Sequence, residues 1–377
     1  MATLTFVNRT HFDHGAISQL SSSLEALGIR RPLLCTDPGL VAAGIVDIVE
    51  AEVPAGTPVT RFAETPENPT EAAVRAALER YREADCDGIV ALGGGSSMDL
   101  AKAVALAATH ADPLIEYTAG RGGMERIGAA APMLAIPTTA GTGSEVSSGA
   151  VVIMDSGEKL ILASRHLVPP IALCDPDLTL GLPARLTAAT GMDAVTHCIE
   201  AVLSPVVNPP AEAVGLDGLR RALGERHLHR AVADGQDRDA RLHMMMASNE
   251  GALAFSKGLG AVHAMSHAAG ARGDLRLHHG TLNALFLPTI LRFNADACAE
   301  KYDRIREAIR LPEGSDLADF VEKLNAGLGL PARVSELGVT AAMIPELARH
   351  AAQDVCTFTN PKPCDEGVYA RLLEEAL

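Results

Sequence analysis

Aromatic residues are scarce in this 377-residue chain, which contains no tryptophan, four tyrosines and eight phenylalanines. An aromatic cage for a large ligand is therefore disfavoured. The seven cysteines are scattered singly, and no two of them form a Cys-x-x-Cys pair. We expect them to be free, mostly buried thiols in a reducing compartment.

Positively charged residues are fewer than negatively charged ones. The sequence has 32 lysines and arginines and 47 aspartates and glutamates, which gives a net charge of −15 at pH 7. This balance argues against non-specific binding to nucleic acids or to an anionic membrane surface. No apolar run approaches the ~20 residues that a membrane span needs. The segment 1–7 lacks the basic start and apolar core of a signal peptide. We therefore expect a cytoplasmic protein without nucleic-acid or membrane partners.

The hydrophobic pattern changes part-way along the chain. Up to about residue 180, short apolar, β-branched runs alternate with alanine-rich helical runs, a pattern typical of βαβ units. Beyond Pro183, helical patterns dominate and no alternating strand is convincing. The chain is long enough for two domains, each with its own core. We predict an α/β domain over residues 1–179 and an all-α domain over residues 180–377.

Two glycine-rich loops follow predicted strands in the first half. Strand Asp87–Leu92 runs into Gly93–Lys102, which leads to a predicted helix over Leu100–Thr109, and strand Pro132–Ile136 runs into Pro137–Glu145. Glycines allow close backbone approach, and free N–H groups at a helix start favour a phosphate. The first loop has neither the Gly-x-Gly-x-x-Gly pattern nor the Walker pattern, and a single glycine-rich turn between strand and helix is about as often a tight connection as a phosphate site. Two such loops at the strand ends of one sheet favour a nucleotide crevice.

An acidic residue, Asp37, ends another predicted strand, Arg31–Asp37. At the end of the second β-unit, a carboxylate accepts hydrogen bonds from a ribose 2′-hydroxyl and repels a 2′-phosphate. This position therefore predicts NAD in preference to NADP.

The second half contains two pairs of potential metal ligands. His263 and His267 stand at i and i+4, so they share one face of a helix, and Asp193 and His197 have the same spacing in an earlier helical run. A lone pair of this kind is usually a satisfied or solvated pair. Two pairs in one apolar half, followed by His278–Gly280, favour instead a divalent transition metal such as iron or zinc.

Six motifs, in order over essentially the whole chain, resemble the iron-containing (group III) alcohol dehydrogenases, which are relatives of glycerol dehydrogenase and dehydroquinate synthase. The motifs are Gly93–Lys102, Pro137–Glu145, Gly191–His197, Gly260–His267, His279–Ala284 and Thr359–Pro361. The resemblance implies a dehydroquinate synthase-like fold, with an α/β N-terminal nucleotide-binding domain and an all-α C-terminal metal-binding domain. It also implies a homodimer or larger homo-oligomer that transfers hydride between nicotinamide and a small alcohol or aldehyde, including those that carry an anionic group.

The resemblance further implies the site residues. With Fe²⁺ as the expected ion and Zn²⁺ as the alternative, the ligands would be Asp193, His197, His263 and His279. His279, rather than His278, occupies the family's His-Gly position, and His267 would act in catalysis without binding the metal. The nucleotide contacts would be Asp37, Gly94, Gly95, Ser96, Asp99, Thr138, Thr139, Thr142 and Lys159.

Other interpretations remain open. Maleylacetate reductases resemble the chain in outline, but they typically carry His-Ala-Glu where this chain has His279-Gly-Thr281, and they lack the full ligand set. A glycerol dehydrogenase-like oxidoreductase is a further alternative. A dehydroquinate synthase-like lyase would use NAD and metal without a net change in NADH. From a different class, the chain would be a non-catalytic nucleotide- or metal-binding module.

Overall fold

The computed structural model describes residues 2–5, 7–111 and 113–377. The chain divides into two compact units. The first contains the chain up to Thr139 together with Gly143–Gly181, and the second contains Ala140–Thr142 and Leu182–Leu377. Residues 140–142 lie within the predicted first domain in sequence, and the structure groups them with the second unit.

Parallel strands form the centre of the first unit. The strands in chain order are β1 (Ala2–Thr5), β2 (Arg9–Phe12), β3 (Pro32–Cys35), β4 (Thr60–Phe62), β5 (Gly88–Gly93), β6 (Met133–Pro137), β7 (Gly149–Ile153), β8 (Lys159–Ala163) and β9 (Ile171–Cys174). Seven of them form one sheet in the order β1-β2-β9-β6-β5-β3-β4. All pairs in this sheet are parallel except β1 with β2, and β7 pairs with β8 in a separate antiparallel ribbon.

The central strands are buried along their whole length, as expected for parallel strands that are covered on both faces. Every residue of β3, β5, β6 and β9 is buried. The helices of this unit are α1 (Leu20–Leu27), α2 (Pro38–Ala42), α3 (Ile45–Glu50), α4 (Glu71–Glu83) and α5 (Gly95–Thr109). Strand residues such as Leu34, Leu92 and Leu134 pack with Leu24 of α1 and Val49 of α3 in one apolar core.

Helix α5 begins five residues earlier than the sequence predicts, at Gly95 rather than at Leu100. Strand β5 ends at Gly93, whose φ of 148° lies in the region that favours glycine. A Cβ at Gly93 would also lie 2.6 Å from Oγ of Ser97. The chain therefore turns from strand to helix with Gly94 as the only linking residue. The segment that looked like a loop in the sequence is the first turns of the helix.

The second unit is helical throughout. Its helices are α6 (Ala184–Leu203), α7 (Pro209–Leu219), α8 (His227–Ala233), α9 (Arg238–Ala254), α10 (Ala261–Gly270), α11 (His279–Asn294), α12 (Ala299–Ala308), α13 (Leu317–Gly327), α14 (Ile344–Gln353) and α15 (Glu366–Ala376). Helix α6 is buried at every position from Thr187 to Leu203 and packs against α7, α8, α9 and α11. A helix in this position can present polar side chains only to other protein groups or to a bound ion.

The predicted fold class is confirmed, because a mostly parallel α/β unit is followed by an all-α unit. Within the described ranges, no helix combines the length and the apolar character that a bilayer crossing requires.

Candidate active site

Three helices of the second unit bring the predicted metal ligands together. Asp193 and His197 lie one turn apart on α6, His263 lies on α10, and His279 is the first residue of α11. The distances from Asp193 Oδ1 to Nε2 are 3.8 Å for His197, 3.9 Å for His263 and 3.6 Å for His279. Ligands placed about 2.1 Å from a tetrahedral ion stand about 3.4 Å apart. Ligand atoms of Asp193, His197 and His263 all lie within 4.8 Å of one another, so these three side chains can share one divalent ion. His279 approaches this group at Asp193, and its place as the fourth ligand stays a prediction.

Burial keeps two of these imidazoles neutral. His197 and His263 are almost fully buried, and desolvation lowers the pKa of His197 to about 4 and that of His263 to about 3. A neutral imidazole keeps the lone pair that a metal ligand needs. Asp193, which is 2% exposed, supplies a carboxylate. This donor set of nitrogen and oxygen fits Fe²⁺ or Zn²⁺.

The structure brings His279, and not its neighbour, to Asp193. His278 is exposed and stands at the N-terminus of α11, where its Nδ1 accepts a hydrogen bond from the backbone N–H of Thr281 at 3.4 Å. Two adjacent residues at a helix start point in different directions, so only one of them faces the neighbouring helix. Binding of a metal by His279 stays a prediction.

Asn283 belongs to the same cluster, although the sequence analysis did not single it out. Its Nδ2 donates a hydrogen bond to Asp193 Oδ1 at 2.7 Å and lies 3.2 Å from Nε2 of both His263 and His279. The amide group of Asn283 therefore contacts three of the four proposed ligands, Asp193, His263 and His279. Asn283 follows His279 by four residues on α11, and this helical spacing is the signal that could have identified it.

Glu200 was also missed. It lies seven residues after Asp193 on α6 and is 4% exposed. Its Oε2 lies 2.6 Å from His263 Nδ1, and its Oε1 accepts a hydrogen bond from the backbone N–H of Val262 at 2.7 Å. Burial raises the pKa of Glu200 to about 7. The i+7 spacing from Asp193 was visible in the sequence and places both carboxylates on one face of the helix.

His267 lies beside the four-residue ligand set. Its ring stacks on that of His279 with 5.3 Å between centroids, and its Nδ1 lies 2.9 Å from Oδ2 of Asp354. Burial alone would raise the pKa of Asp354, but the charge of His267 and the hydrogen bonds from His267 and the backbone N–H of Cys356 lower it to about 2. Asp354 therefore fixes one ring nitrogen of His267, and the catalytic role of His267 stays a prediction.

In the first unit, the predicted nucleotide contacts lie at the carboxyl ends of neighbouring strands. Asp37 follows β3, Gly94 and Gly95 follow β5, and Thr138 and Thr139 follow β6. Strands β3, β5 and β6 are adjacent and parallel, so these residues lie along one edge of the sheet. A Cβ at Gly94 would lie 3.3 Å from the side chain of Thr139, which shows how closely the two loops approach. This edge is where α/β sheets bind nucleotides.

Asp99 and Lys102 form a buried network that supports the second loop. Lys102 Nζ donates to the hydroxyls of Ser144 and Ser147 at 2.9 and 3.0 Å and to the carbonyl of Gly149 at 2.8 Å. Asp99 accepts hydrogen bonds from the Ser144 hydroxyl and from a backbone N–H of β7. Burial lowers the pKa of Lys102 to about 8 and raises that of Asp99. The carboxylate of Asp99 is thus engaged by the protein itself.

Three further residues were predicted to contact the nucleotide: Ser96, Lys159 and Thr142. The Ser96 hydroxyl donates to the carbonyl of Glu67. Lys159 lies on β8, where its Nζ donates to Oδ1 of Asn68 at 2.9 Å. Thr142 belongs to the three residues that are grouped with the helical unit. Contacts of these three residues with a nucleotide stay predictions, as do those of the other residues predicted for the nucleotide site.

Comparison with known families decides the identity of the chain. The family model described as iron-containing alcohol dehydrogenase matches residues 8–176, and the model for the C-terminal region of the Fe-containing alcohol dehydrogenase family matches residues 187–377. The chain belongs to the iron-containing alcohol dehydrogenase family. The resemblance seen in the sequence is confirmed, and the protein is a metal-dependent oxidoreductase that works with a nicotinamide cofactor.

Three similar proteins match this alcohol dehydrogenase over 98% or more of its length. The 4-hydroxybutyrate dehydrogenase of Cupriavidus necator is 52% identical, and the alignment covers 100% of both chains. The crystal structure of a 1,3-propanediol oxidoreductase has a TM-score of 0.92 at 35% identity, covering 98% of this chain and 97% of that one. A sulfoacetaldehyde reductase from Bifidobacterium kashiwanohense, in complex with NAD+, has a TM-score of 0.87 at 26% identity, covering 100% and 98%.

Proposed function

We propose that this enzyme interconverts a short primary alcohol that carries a terminal carboxylate, of the 4-hydroxybutyrate class, and the corresponding aldehyde, with NAD and Fe²⁺ as cofactors. The observation that carries the proposal is the 52% identity, over the full length of both chains, with a 4-hydroxybutyrate dehydrogenase. The sulfoacetaldehyde reductase is likewise named for a short aldehyde with an anionic group. The full ligand set favours this function over a maleylacetate reductase-like one.

The four side chains that would hold the ion are Asp193, His197, His263 and His279. When bound, the metal supplies Lewis acidity to the alcohol or carbonyl oxygen, and the nicotinamide exchanges a hydride with the carbon that bears it. The chain's own part is to keep the donor atoms in place and to move the hydroxyl proton. Asn283 fixes the carboxylate of Asp193, and His267, held at Nδ1 by Asp354, accepts or returns the proton at Nε2.

The substrate proposal is tested with the anaerobically purified, Fe²⁺-loaded enzyme by following NADH absorbance. The matched pair is 4-hydroxybutyrate and 1,4-butanediol, which share a four-carbon chain and differ in whether the far end is a carboxylate. We expect a higher kcat/KM for 4-hydroxybutyrate. Preference for the diol would contradict the proposed carboxylate specificity. Binding of metal and NAD with no NADH change on any alcohol or aldehyde would point to a lyase.

Replacement of His267 by alanine should leave the metal in place and slow turnover by about 10²-fold or more, because general acid–base catalysis contributes about that much. Metal analysis and steady-state kinetics on the same preparation separate the two effects. His350→Ala, at an exposed position on α14, serves as the control and should have wild-type rates. A wild-type rate in His267→Ala would remove His267 from the proposed proton path.

Replacement of Asp37 by serine should shift cofactor use toward NADP. Asp37 caps α2 by accepting a hydrogen bond from the backbone N–H of Leu40 at 3.0 Å, and serine can still cap the helix without the negative charge. Two like charges about 4 Å apart in water repel by about 1 kcal/mol, so we expect the NADP/NAD ratio of kcat/KM to rise about fivefold or more. Asp47→Ser, on α3, is the control. An unchanged ratio in Asp37→Ser would place the ribose elsewhere.

We also propose a reducing compartment and a homo-oligomeric state. All seven cysteines are free and buried, which supports the first proposal. The proposed homo-oligomeric state rests on membership of the iron-containing alcohol dehydrogenase family. Light scattering of the purified enzyme would distinguish an oligomer from a 39.3 kDa monomer.

A further inference from the structure

We propose that Glu200 is a positioning residue that fixes the tautomer of His263 and thereby sets the metal affinity of the centre. The inference rests on the proposed metal site, because it concerns the second ring nitrogen of one proposed ligand. The experiment below measures metal affinity directly, so it does not depend on which alcohol the enzyme oxidises.

The contact between Glu200 and His263 determines which ring nitrogen carries the proton. Oε2 of Glu200 lies 2.6 Å from Nδ1 of His263, and Nε2 of the same ring faces Asp193 Oδ1 at 3.9 Å. A neutral imidazole has one N–H, and the amide Nδ2 of Asn283, which can only donate a hydrogen bond, lies 3.2 Å from Nε2 of His263. The proton therefore resides on Nδ1, and the lone pair on Nε2 is directed into the cluster. Such carboxylate–histidine pairs orient metal ligands and raise their basicity.

The second oxygen of Glu200 holds the start of the helix that carries His263. Oε1 accepts a hydrogen bond from the backbone N–H of Val262 at 2.7 Å. A Cβ at Gly260 would lie 2.8 Å from Oε1, so glycine at this position lets the carboxylate approach the start of α10. Both oxygens of one α6 side chain are thus used by α10, and this arrangement sets where His263 stands relative to Asp193.

A glutamine at position 200 cannot satisfy both groups, although it has the same shape as glutamate. Its amide has one accepting oxygen and one donating nitrogen. If the amide oxygen accepts the hydrogen bond from the N–H of Val262, the NH₂ group lies against Nδ1 of His263. Nδ1 must then accept a hydrogen bond, so the imidazole proton moves to Nε2. The lone pair then no longer points into the cluster. If the oxygen faces His263 instead, two donors meet at Val262.

The test measures the Zn²⁺ affinity of the metal-free full-length protein by competition with a fluorescent chelator. We expect Glu200→Gln to weaken Zn²⁺ binding by about 10- to 100-fold, the usual effect of losing such a partner. The matched control is Glu250→Gln on α9, because Glu250 is also a mostly buried carboxyl and its ion-pair partner is Arg221, at 3.1 Å. We expect this control to bind Zn²⁺ like the wild type. Far-UV circular dichroism and NAD binding establish that each variant is folded.

Two further measurements separate positioning of His263 from a general loss of stability. The visible spectrum of the Co²⁺-loaded protein reports the ligand field, so Glu200→Gln should change it, whereas Glu250→Gln should not. Glu200→Asp keeps a pure acceptor and should recover part of the Zn²⁺ affinity that Glu200→Gln loses. Wild-type Zn²⁺ affinity together with a wild-type Co²⁺ spectrum in Glu200→Gln would overturn the inference. Failure of the wild type itself to bind Zn²⁺ or Co²⁺ would instead overturn the proposed metal site.

Discussion

Replacement of Asp193 by alanine is expected to abolish metal binding and to reduce turnover by about 10³-fold or more, since Lewis-acid stabilisation of a developing charge is worth several kcal/mol. Asp193 is the only carboxylate of the four proposed ligands, and Oδ1 lies within 3.9 Å of Nε2 of each of the three histidines. Without it, three neutral imidazoles would have to hold a dication in a buried site with no carboxylate among the proposed ligands.

The variant Asp193→Asn makes this prediction sharper, because it keeps the side-chain volume and removes only the charge. We expect it to lose the metal as Asp193→Ala does, which would attribute the loss to charge rather than to a cavity. Asp239→Ala on α9 removes a carboxylate that pairs with Arg230 at 2.9 Å, and it should retain metal and activity. Metal content by mass spectrometry and NADH-linked rates provide the measurements. A fully active, metal-free Asp193 variant would show that the ligand set is wrongly assigned.

Helical periodicity explains why the sequence could predict that Asp193 and His197 lie close together. Asp193 and His197 repeat at four residues and occupy one face of α6, as the spacing indicated. The same rule extends to Glu200 on α6 and to Asn283, four residues after His279 on α11, although neither residue type was considered as a partner of a ligand. Asp354 is different, because it contacts His267 across 87 residues and no local spacing encodes that contact.

In the nucleotide-binding unit, the positions of the loops were predicted but their local conformation was not. Gly93–Lys102 looked like a loop because glycine and serine are poor helix formers. The start of α5 at Gly95 depends on the turn at Gly93 and on burial of the helix against the sheet. The environment of Lys102 also could not be decided from the sequence. The i, i+3 spacing of Asp99 and Lys102 was compatible with support of a loop or a ribose and equally with an exposed ion pair. The structure buries the ammonium group of Lys102 among oxygens of the segment 144–149.

The glycine of the His-Gly motif has a steric role that makes Gly280→Ala a severe substitution. A Cβ at Gly280 would lie 2.2 Å from the backbone oxygen of Ala189 and 3.2 Å from Cβ of Asp193. The nearest obstacle is backbone of the buried helix α6, which cannot rotate away as a side chain can. Helix α11 would have to move away from α6, and His279, the adjacent residue, would move away from Asp193.

We expect Gly280→Ala to destabilise the protein by about 3 kcal/mol, the upper part of the range for overpacking, and to weaken Zn²⁺ binding even though all four proposed ligands remain. Thermal unfolding of the metal-free form and chelator competition measure the two effects separately. Gly327→Ala is the matched control, because Gly327 ends α13 and a Cβ there meets nothing within 4 Å. That substitution should be neutral or slightly stabilising. Wild-type melting and wild-type Zn²⁺ affinity in Gly280→Ala would mean that close contact between α6 and α11 does not hold His279 in place.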